Sequence, residues 1–354
     1  MRKKICESVQ QAGWFTLMAD ESKDCSKFEQ LAIVFRYADV DTGTVYERFL
    51  TYVEADNCTA TSLTSYIKEV LDKYQIDPCK MVCQCYDGAS VMSGSCSGVQ
   101  RQVKEFASNA VYIHCYAHCL NLALVDCAKT VPVAWEFFSL IQSLYTFIST
   151  PKAHSVFVKV QKELRPDKPL HQLQQLSDTR WACRQGAVHA ICCTFDAVLA
   201  TLEEIEEDSD RAKATEAKGY LLQIKCFKFV LSLVVFDRVL SCSKCLSDAL
   251  QSTRLDLAKA ADLVTATIQT LEEFRSDESW KKVFDYAVSV SQHRAIAVEV
   301  PQRRQSKQPR RLEDTVVLAS SGHRESPPTN CSEHFKVTLY YAVLDVFISE
   351  LKAI

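Results

Sequence analysis

The chain has 354 residues and a formal net charge of −3, with 47% hydrophobic and 24% charged residues, the ordinary mixture of a globular protein. These figures exclude a collagen-like, coiled-coil or disordered tail protein, and the near-neutral charge confines any nucleic-acid binding to local patches. Seventeen cysteines without a secretory signal indicate reduced thiols in the cytosol or nucleus. No apolar run approaches the ~18 residues of a membrane span, so we expect no membrane partner.

The first third of the chain predicts a mixed α/β sheet. Short runs rich in strand-favouring residues cover 14–19, 31–37, 45–53, 81–86 and 111–115. The first three predict an antiparallel meander, because they follow one another closely and a D-x-G turn joins the second to the third. Helical spacing over 59–74 and 97–106 separates the later strands. Three strands, helix, strand, helix, strand is the order of a ribonuclease-H-like core.

From residue 120 onward the pattern is almost wholly helical. Amphipathic stretches cover 134–164, 181–207, 219–250, 255–274 and 333–354. Residues 300–330 are polar, basic and proline-bearing, which predicts a mobile loop. We therefore predict an α/β fold plus an all-α insertion, in two domains. Residues 1–129 form the ribonuclease-H-like core, and residues 130–354 form the helical insertion domain.

Two aspartates follow predicted strands that lie side by side in this sheet. We expect Asp20 and Asp87 each to end a strand, and ligands gather at the carboxyl ends of strands in open α/β sheets. Two adjacent carboxylates repel each other unless a cation joins them, and Mg²⁺ prefers such oxygen ligands. Two metals there would activate a water for phosphoryl transfer. The alternative is that Asp20 caps a turn and Asp87 with Gly88 forms another.

Cysteine and histidine cluster over residues 114–119 (HCYAHC). Their proximity suggests zinc, but a structural zinc site needs a second ligand pair at defined spacing. Cys242 and Cys245 lie within a helical pattern, where cysteines are packing residues more often than ligands.

Residues 177–181 (SDTRW) place an arginine beside a tryptophan. Arg180 could grip a phosphate while Trp181 stacks on an unpaired base. The alternative is a helix N-terminus, with one of the three preceding polar residues as cap and Trp181 in the core.

Together these segments resemble the hAT superfamily of DNA transposases and their domesticated relatives. Residues 18–24 (MADESKD) resemble the family's ADES-x-D motif, and 85–94 (CYDGASVMSG) its YDGA-x-x-MSG block. Residues 114–124 are similar to its C-x-x-H block, and 178–181 (DTRW) to its arginine–tryptophan block. Residues 255–264 (LDLAKAADLV) resemble the insertion domain of the zinc-finger MYM-type and transposase-like repressor branch (DUF4371-like).

The resemblance implies roles for individual residues. Asp20 and Asp87 match the first two acids of the family's Mg²⁺-binding Asp-Asp-Glu triad, which are ancestral catalytic and metal residues. Cys115 is then the structural member of the C-x-x-H pair. His118, Arg180 and Trp181 are then nucleic-acid-binding, with Trp181 handling flipped-out bases.

Two departures from the family pattern bear on activity. Glu350 falls too early to match the third acid, and no zinc-finger module precedes residue 1. We therefore expect a truncated chain that lacks the third acid and the dimerisation segment, with Mg²⁺ as an ancestral cofactor only.

Three functions stay open. The first is a domesticated or degenerate transposase-like protein of the nucleus that binds nucleic acid or chromatin partners without catalysis, with DNA as the partner implied by resemblance. The second is an active Mg²⁺-dependent transposase or nuclease, which requires a further glutamate. The third is a protein-interaction scaffold, which an exposed apolar stripe along 219–250 would favour.

Overall fold

The computed structural model describes residues 1–23, 28–176, 181–208, 210–252, 257–300 and 330–353. It divides into two compact units. The first contains Met1–Leu122 and Ser247–Ala261, and the second contains Ala123–Leu246 and Asp262–Ala353. The predicted domain boundary at 129/130 stays a prediction, and the predicted loop at 300–330 falls almost entirely outside the described residues.

The first unit is built on a five-stranded mixed sheet. Its elements are α1 (Arg2–Ala12), β1 (Phe15–Lys23), β2 (Glu29–Ala38), β3 (Val45–Glu54), α2 (Ala60–Lys73), a 3-10 turn (Pro78–Lys80), β4 (Met81–Tyr86), α3 (Ser90–Ser93), α4 (Val99–Phe106) and β5 (Val111–His114). The strand order is β3-β2-β1-β4-β5. β1, β2 and β3 are antiparallel, whereas β4 is parallel to both β1 and β5. The predicted meander and the mixed α/β class are confirmed.

One face of the sheet forms the hydrophobic core. Along β2, Leu31, Ile33, Phe35 and Tyr37 alternate with half-buried residues, as period-two patterning requires. The buried stripes of α2 and α4 belong to the same hydrophobic cluster. Thr59 caps α2 by accepting a hydrogen bond from the backbone N–H of Ser62 at 3.3 Å. The opposite face of the sheet is less buried, and it carries the candidate site.

The rest of the described chain is helical. Its elements are α5 (Tyr116–Thr130), α6 (Pro132–Ile148), α7 (Pro151–Leu164), α8 (Trp181–Glu206), α9 (Arg211–Ile224), α10 (Phe227–Leu250), α11 (Leu257–Phe274), α12 (Asp277–Gln292), α13 (Cys331–Phe335), a π-helical turn (Lys336–Tyr341) and α14 (Ala342–Lys352). The stretch predicted as one helix over 134–164 is two helices, because Pro151 begins a new one. That these helices form an insertion into the core stays a prediction.

Helix α8 has the length and composition of a membrane span over Cys183–Glu206, with a mean hydropathy of 1.3. Two thirds of that window, 67%, is buried inside the protein. A core helix shows the same combination, so this segment is weak evidence for a membrane span.

Candidate site at the strand ends of the sheet

The structure places Asp20 and Asp87 at the same edge of the sheet. Strands β1 and β4 are parallel neighbours, and their ladder pairs Met18 with Cys85. Two residues further along each strand are Asp20 and Asp87. Asp87 directly follows β4 and is half-buried, whereas Asp20 is exposed. The two carboxylates therefore follow the last β1–β4 pair side by side.

The expectation that Asp20 ends its strand is wrong. β1 continues to Lys23, because the antiparallel strand β2 extends its ladder beyond the point where β4 stops. Asp20 pairs with Ala32 in that ladder. The backbone of Asp20 is consequently fixed within the sheet, whereas Asp87 lies in a turn.

The turn after β4 is held by three contacts. The Asp87 carboxylate accepts a hydrogen bond from the backbone N–H of Ala89 at 3.3 Å. The Tyr112 hydroxyl, on β5, donates to the Asp87 carbonyl oxygen at 3.2 Å. Gly88 packs so closely on His114 that a Cβ at position 88 would lie 2.3 Å from His114 Cε1. The alternative interpretation, in which Asp87 and Gly88 form a turn, thus describes the local backbone. Such a turn is compatible with a binding role for the Asp87 carboxylate.

Glu21 is a third acidic residue at this edge, although it was not among the predicted site residues. Burial raises the pKa of Glu21, and the negative charges of Asp87 and Glu29 raise it further. Asp20 contributes in the same direction, while a hydrogen bond with the Cys58 thiol opposes them. The edge therefore concentrates negative charge, which a cation or a proton would relieve.

Cys115 lies beside the turn that contains Asp87. The backbone N–H of Cys115 donates to the Tyr86 carbonyl at 3.0 Å, directly before Asp87. The Cys115 sulfur accepts hydrogen bonds from the Cys85 thiol and from the backbone N–H groups of His118 and Ala117. These contacts lower the pKa of Cys115, despite its burial, because they favour the thiolate.

The two histidines of the C-x-x-H block are neighbours. The His114 and His118 ring centroids are 5.7 Å apart. Burial lowers the pKa of His114, the positive charge on His118 lowers it further, and Asp87 opposes both. Among the described residues, His114 Nε2 is a buried nitrogen that lacks a hydrogen-bond partner.

Two exposed aromatic side chains, which were not among the predicted site residues, share a sheet face with Asp20. Asp20 pairs with Ala32, and Ala32 pairs with Tyr52 on β3. Because cross-strand partners point to one face, Tyr52 and Asp20 lie on the same side, about 10 Å apart. Tyr52 is 55% exposed and Phe49 is 45% exposed. Their ring centroids are 4.7 Å apart.

A β-bulge brings Phe49 and Tyr52 together. Residues three apart in a regular strand point to opposite faces. Here Ile33 pairs with Thr51 but Val34 pairs with Phe49, so Leu50 is an extra residue on β3. The bulge returns Phe49 to the face of Tyr52, and Leu50 is buried. The pair becomes apparent only from the register between β2 and β3. Aromatic residues on an edge strand were a signal in the sequence that could have pointed to it.

The structure describes only part of the arginine–tryptophan block. Arg180 lies outside the described residues. Trp181 is the first residue of α8, so a helix does begin where the alternative placed one. The Trp181 side chain is outside the described part of the chain, and its role as a base-handling residue stays a prediction.

The metal site also stays a prediction. Within the described ranges, no group of three or more histidine, cysteine, aspartate or glutamate residues is arranged to hold a metal ion. The cysteines that the structure describes are free thiols. Mg²⁺ is commonly held by one or two carboxylates plus substrate phosphate, so Asp20 and Asp87 supply only part of a site.

Comparison with known proteins agrees with this geometry. Residues 1–98 match the family described as DUF4371, the RNase-like domain of ZMYM1 and FAM200. The resemblance to hAT-derived, DUF4371-containing proteins is confirmed. The match covers β1 to β4 and therefore both aspartates, and it supports a ribonuclease-H-like fold for the sheet.

Two relatives extend the similarity over the whole chain. The human protein named 52 kDa repressor of the inhibitor of the protein kinase is 22% identical over 373 residues. The mouse protein of the same name is 22% identical over 369 residues. Each alignment covers 100% of this chain and 46% of the relative, so the chain spans less than half of their length. These matches support a domesticated, hAT-like protein.

Proposed function

We propose that this hAT-like protein binds nucleic acid in the nucleus without cutting it. The observation that carries the proposal is the cross-strand row Tyr52–Ala32–Asp20 on the less buried face of an RNase-like sheet. The row places an exposed aromatic residue on the same face as the Asp20 carboxylate, and Asp87 follows the neighbouring strand β4. A relative named as a repressor supports regulation rather than strand cleavage.

The aromatic pair suits unpaired bases. Every base has a π-face, so stacking on Tyr52 and Phe49 tolerates any sequence, at about 1–3 kcal/mol per base. About half of the surface of each residue is open to solvent, which leaves room for a base. We therefore propose single-stranded or locally unpaired DNA or RNA as the ligand. His118, Arg180 and Trp181 are proposed as further contacts, by resemblance.

The acidic edge sets a condition on binding. Asp20, Glu21 and Asp87 repel a phosphate backbone unless their charge is neutralised. A divalent cation held by Asp20 and Asp87 would supply that neutralisation and a bridge to phosphate oxygens. We propose that divalent cations strengthen nucleic-acid binding here.

A gel-shift series tests this function. Labelled single-stranded and duplex DNA are titrated with the protein in Ca²⁺, Mg²⁺, Mn²⁺ or EDTA, across a range of salt concentrations. We expect tighter binding of the single strand, weakening with salt, and no cleavage products in any metal. Absence of binding under every condition would contradict the proposal.

Cleavage in Mn²⁺ would revive the alternative of an active transposase or nuclease. The decisive control is Asp20→Ala, with Glu105→Ala on α4 as a matched surface variant. Loss of cleavage in Asp20→Ala alone would assign the reaction to this site, whereas equal cleavage in both variants would indicate a contaminating nuclease.

A groove in the second unit favours protein binding as a second candidate function. It has a volume of about 460 Å³ and is lined by α6, α9 and α10, including Trp135, Phe137 and Tyr220. Trp135 is 58% exposed. Most apolar residues of α10 are buried, and Leu222 is the large apolar residue that the described part of 219–250 exposes, so the stripe that would favour a scaffold along this stretch does not form. If this groove binds a protein partner, Trp135→Ala should weaken that complex and leave DNA binding unchanged.

A further inference from the structure

A nucleophile, a base and a carboxylate contact one another in that order in the second unit. His189 and Cys193 are one turn apart on α8, and Asp237 is on α10. The Cys193 sulfur lies 3.5 Å from His189 Nε2. His189 Nδ1 lies 3.4 Å from an Asp237 carboxylate oxygen. This is the connectivity by which an imidazole activates a thiol and a carboxylate orients the imidazole.

The local fold presents the thiol to a small recess. Helix α8 is kinked directly after Cys193, where Thr194 has φ −120° and ψ 16°. The Cys193 carbonyl accepts a hydrogen bond from the Arg165 guanidinium. Cys193 borders a recess of about 10 Å³, which Arg165 and Lys168 also line. The recess has room for about one water.

Both members of the thiol–imidazole pair are accessible. The His189 side chain is 56% exposed and Asp237 is 35% exposed. Cys193 is half-buried, and its neighbour Cys192 is a less favourable nucleophile because burial raises the pKa of that thiol. The resemblance and the proposed nucleic-acid site use none of these residues.

We propose that Cys193, with His189 as base and Asp237 as its orienting carboxylate, is a covalent modification site for α,β-unsaturated carbonyl compounds. His189 Nε2 accepts the thiol proton as the sulfur attacks the β-carbon. The carbon–carbon π pair moves toward the carbonyl and gives an enolate, near the cationic rim formed by Arg165 and Lys168. The proton then passes to the α-carbon. The product is a thioether, and the reaction needs no oxidant or reductant.

Labelling kinetics test the site with N-ethylmaleimide, which belongs to this chemical class. The full chain is treated with limiting reagent, quenched at intervals and mapped by mass spectrometry, with fragmentation that separates Cys192 from Cys193. We expect Cys193 to react faster than Cys79 and Cys96, although both of those thiols are more exposed.

Three variants separate activation from accessibility. His189→Gln keeps a polar side chain but removes the base, and we expect the Cys193 rate to fall at least tenfold. Asp237→Asn should cause a smaller loss, and Cys193→Ser should abolish the adduct. The rate of the neighbouring Cys192, whose thiol is protected by burial, should stay slow in the same samples if each variant is folded as the parent. An unchanged Cys193 rate in His189→Gln, or a parent rate no higher than those of Cys79 and Cys96, would overturn the proposal.

Discussion

Gly88 lies directly against the imidazole ring of His114, so that a Cβ at position 88 would be 2.3 Å from Cε1 and 2.5 Å from Nε2. This contact joins the turn after β4 to the end of β5. It also explains why glycine follows Asp87: any other residue would displace the ring or the turn.

Gly88→Ala should destabilise the protein by about 2 kcal/mol, the cost of overpacking a site that cannot relax freely. Chemical denaturation monitored by circular dichroism measures the loss. The control is the same substitution in a His114→Ala background, where the added methyl group meets no ring. There the cost of Gly88→Ala should largely disappear. An equal cost in both backgrounds would show that the turn itself, and not the ring, excludes a side chain.

The repulsion between Glu21 and its acidic neighbours predicts that removing the Glu21 charge stabilises the folded protein, by an amount that depends on pH. A carboxyl group whose pKa is raised in the folded state contributes stability below its unfolded pKa and loses it as pH rises through the folded value. Glu21→Gln removes the charge that Asp87 and Glu29 oppose. It should therefore stabilise the protein at pH 7 by about 0.5 kcal/mol, the scale of partly exposed charge interactions.

Melting temperatures at pH 7 and pH 4 distinguish this effect from a general one. At pH 4 the advantage of Glu21→Gln should shrink or vanish, because the parent glutamate takes up its proton. Glu105→Gln on α4 serves as the matched loss of one negative charge. A gain of equal size in both variants would assign the effect to net charge.

Removing the negative charges of Asp20 and Asp87 should strengthen nucleic-acid binding in the way that a bound cation does. Asp20→Asn with Asp87→Asn keeps one side-chain oxygen at each position, so residue 87 can still accept from the Ala89 N–H, while removing two negative charges. In EDTA the double variant should bind single-stranded DNA several-fold more tightly than the parent, because phosphate repulsion is reduced. In Ca²⁺ this advantage should diminish. Weaker binding by the double variant in EDTA would show that the carboxylates themselves contact the nucleic acid.

The elements of the sheet were predictable because local patterning and tertiary structure agree there. The buried alternation on β2 and the apolar stripe of α2 appear directly in the sequence, and both form as expected. The residue at which each strand ends was less predictable. Asp20 lies inside β1 because β2, and not β4, determines where that strand ends. Helix α1 was not predicted, since its exposed face is strongly polar and only Cys6 and Val9 are buried.

The chemistry of the site depends on distances that no local pattern encodes. The Phe49–Tyr52 pair requires the bulge at Leu50. Burial raises the pKa of Glu21, and the charge of Asp87, 66 residues away along the chain, raises it further. The family resemblance identified Asp20, Asp87 and Cys115, because those motifs are contiguous in sequence. It could not identify residues that meet only through the fold.

The most direct measurement of the central claim is the affinity of single-stranded DNA for Tyr52→Ala and Phe49→Ala variants in Ca²⁺, by fluorescence anisotropy. Trp14→Ala is the matched control, since Trp14 is 52% exposed and precedes β1, at the opposite end of that strand from Asp20. Losing the stacking of one base costs about 1–3 kcal/mol of binding free energy. We therefore expect a Kd at least about fivefold higher for Tyr52→Ala and an unchanged Kd for Trp14→Ala. Parent-like affinity in both Tyr52→Ala and Phe49→Ala would contradict nucleic-acid binding on this face.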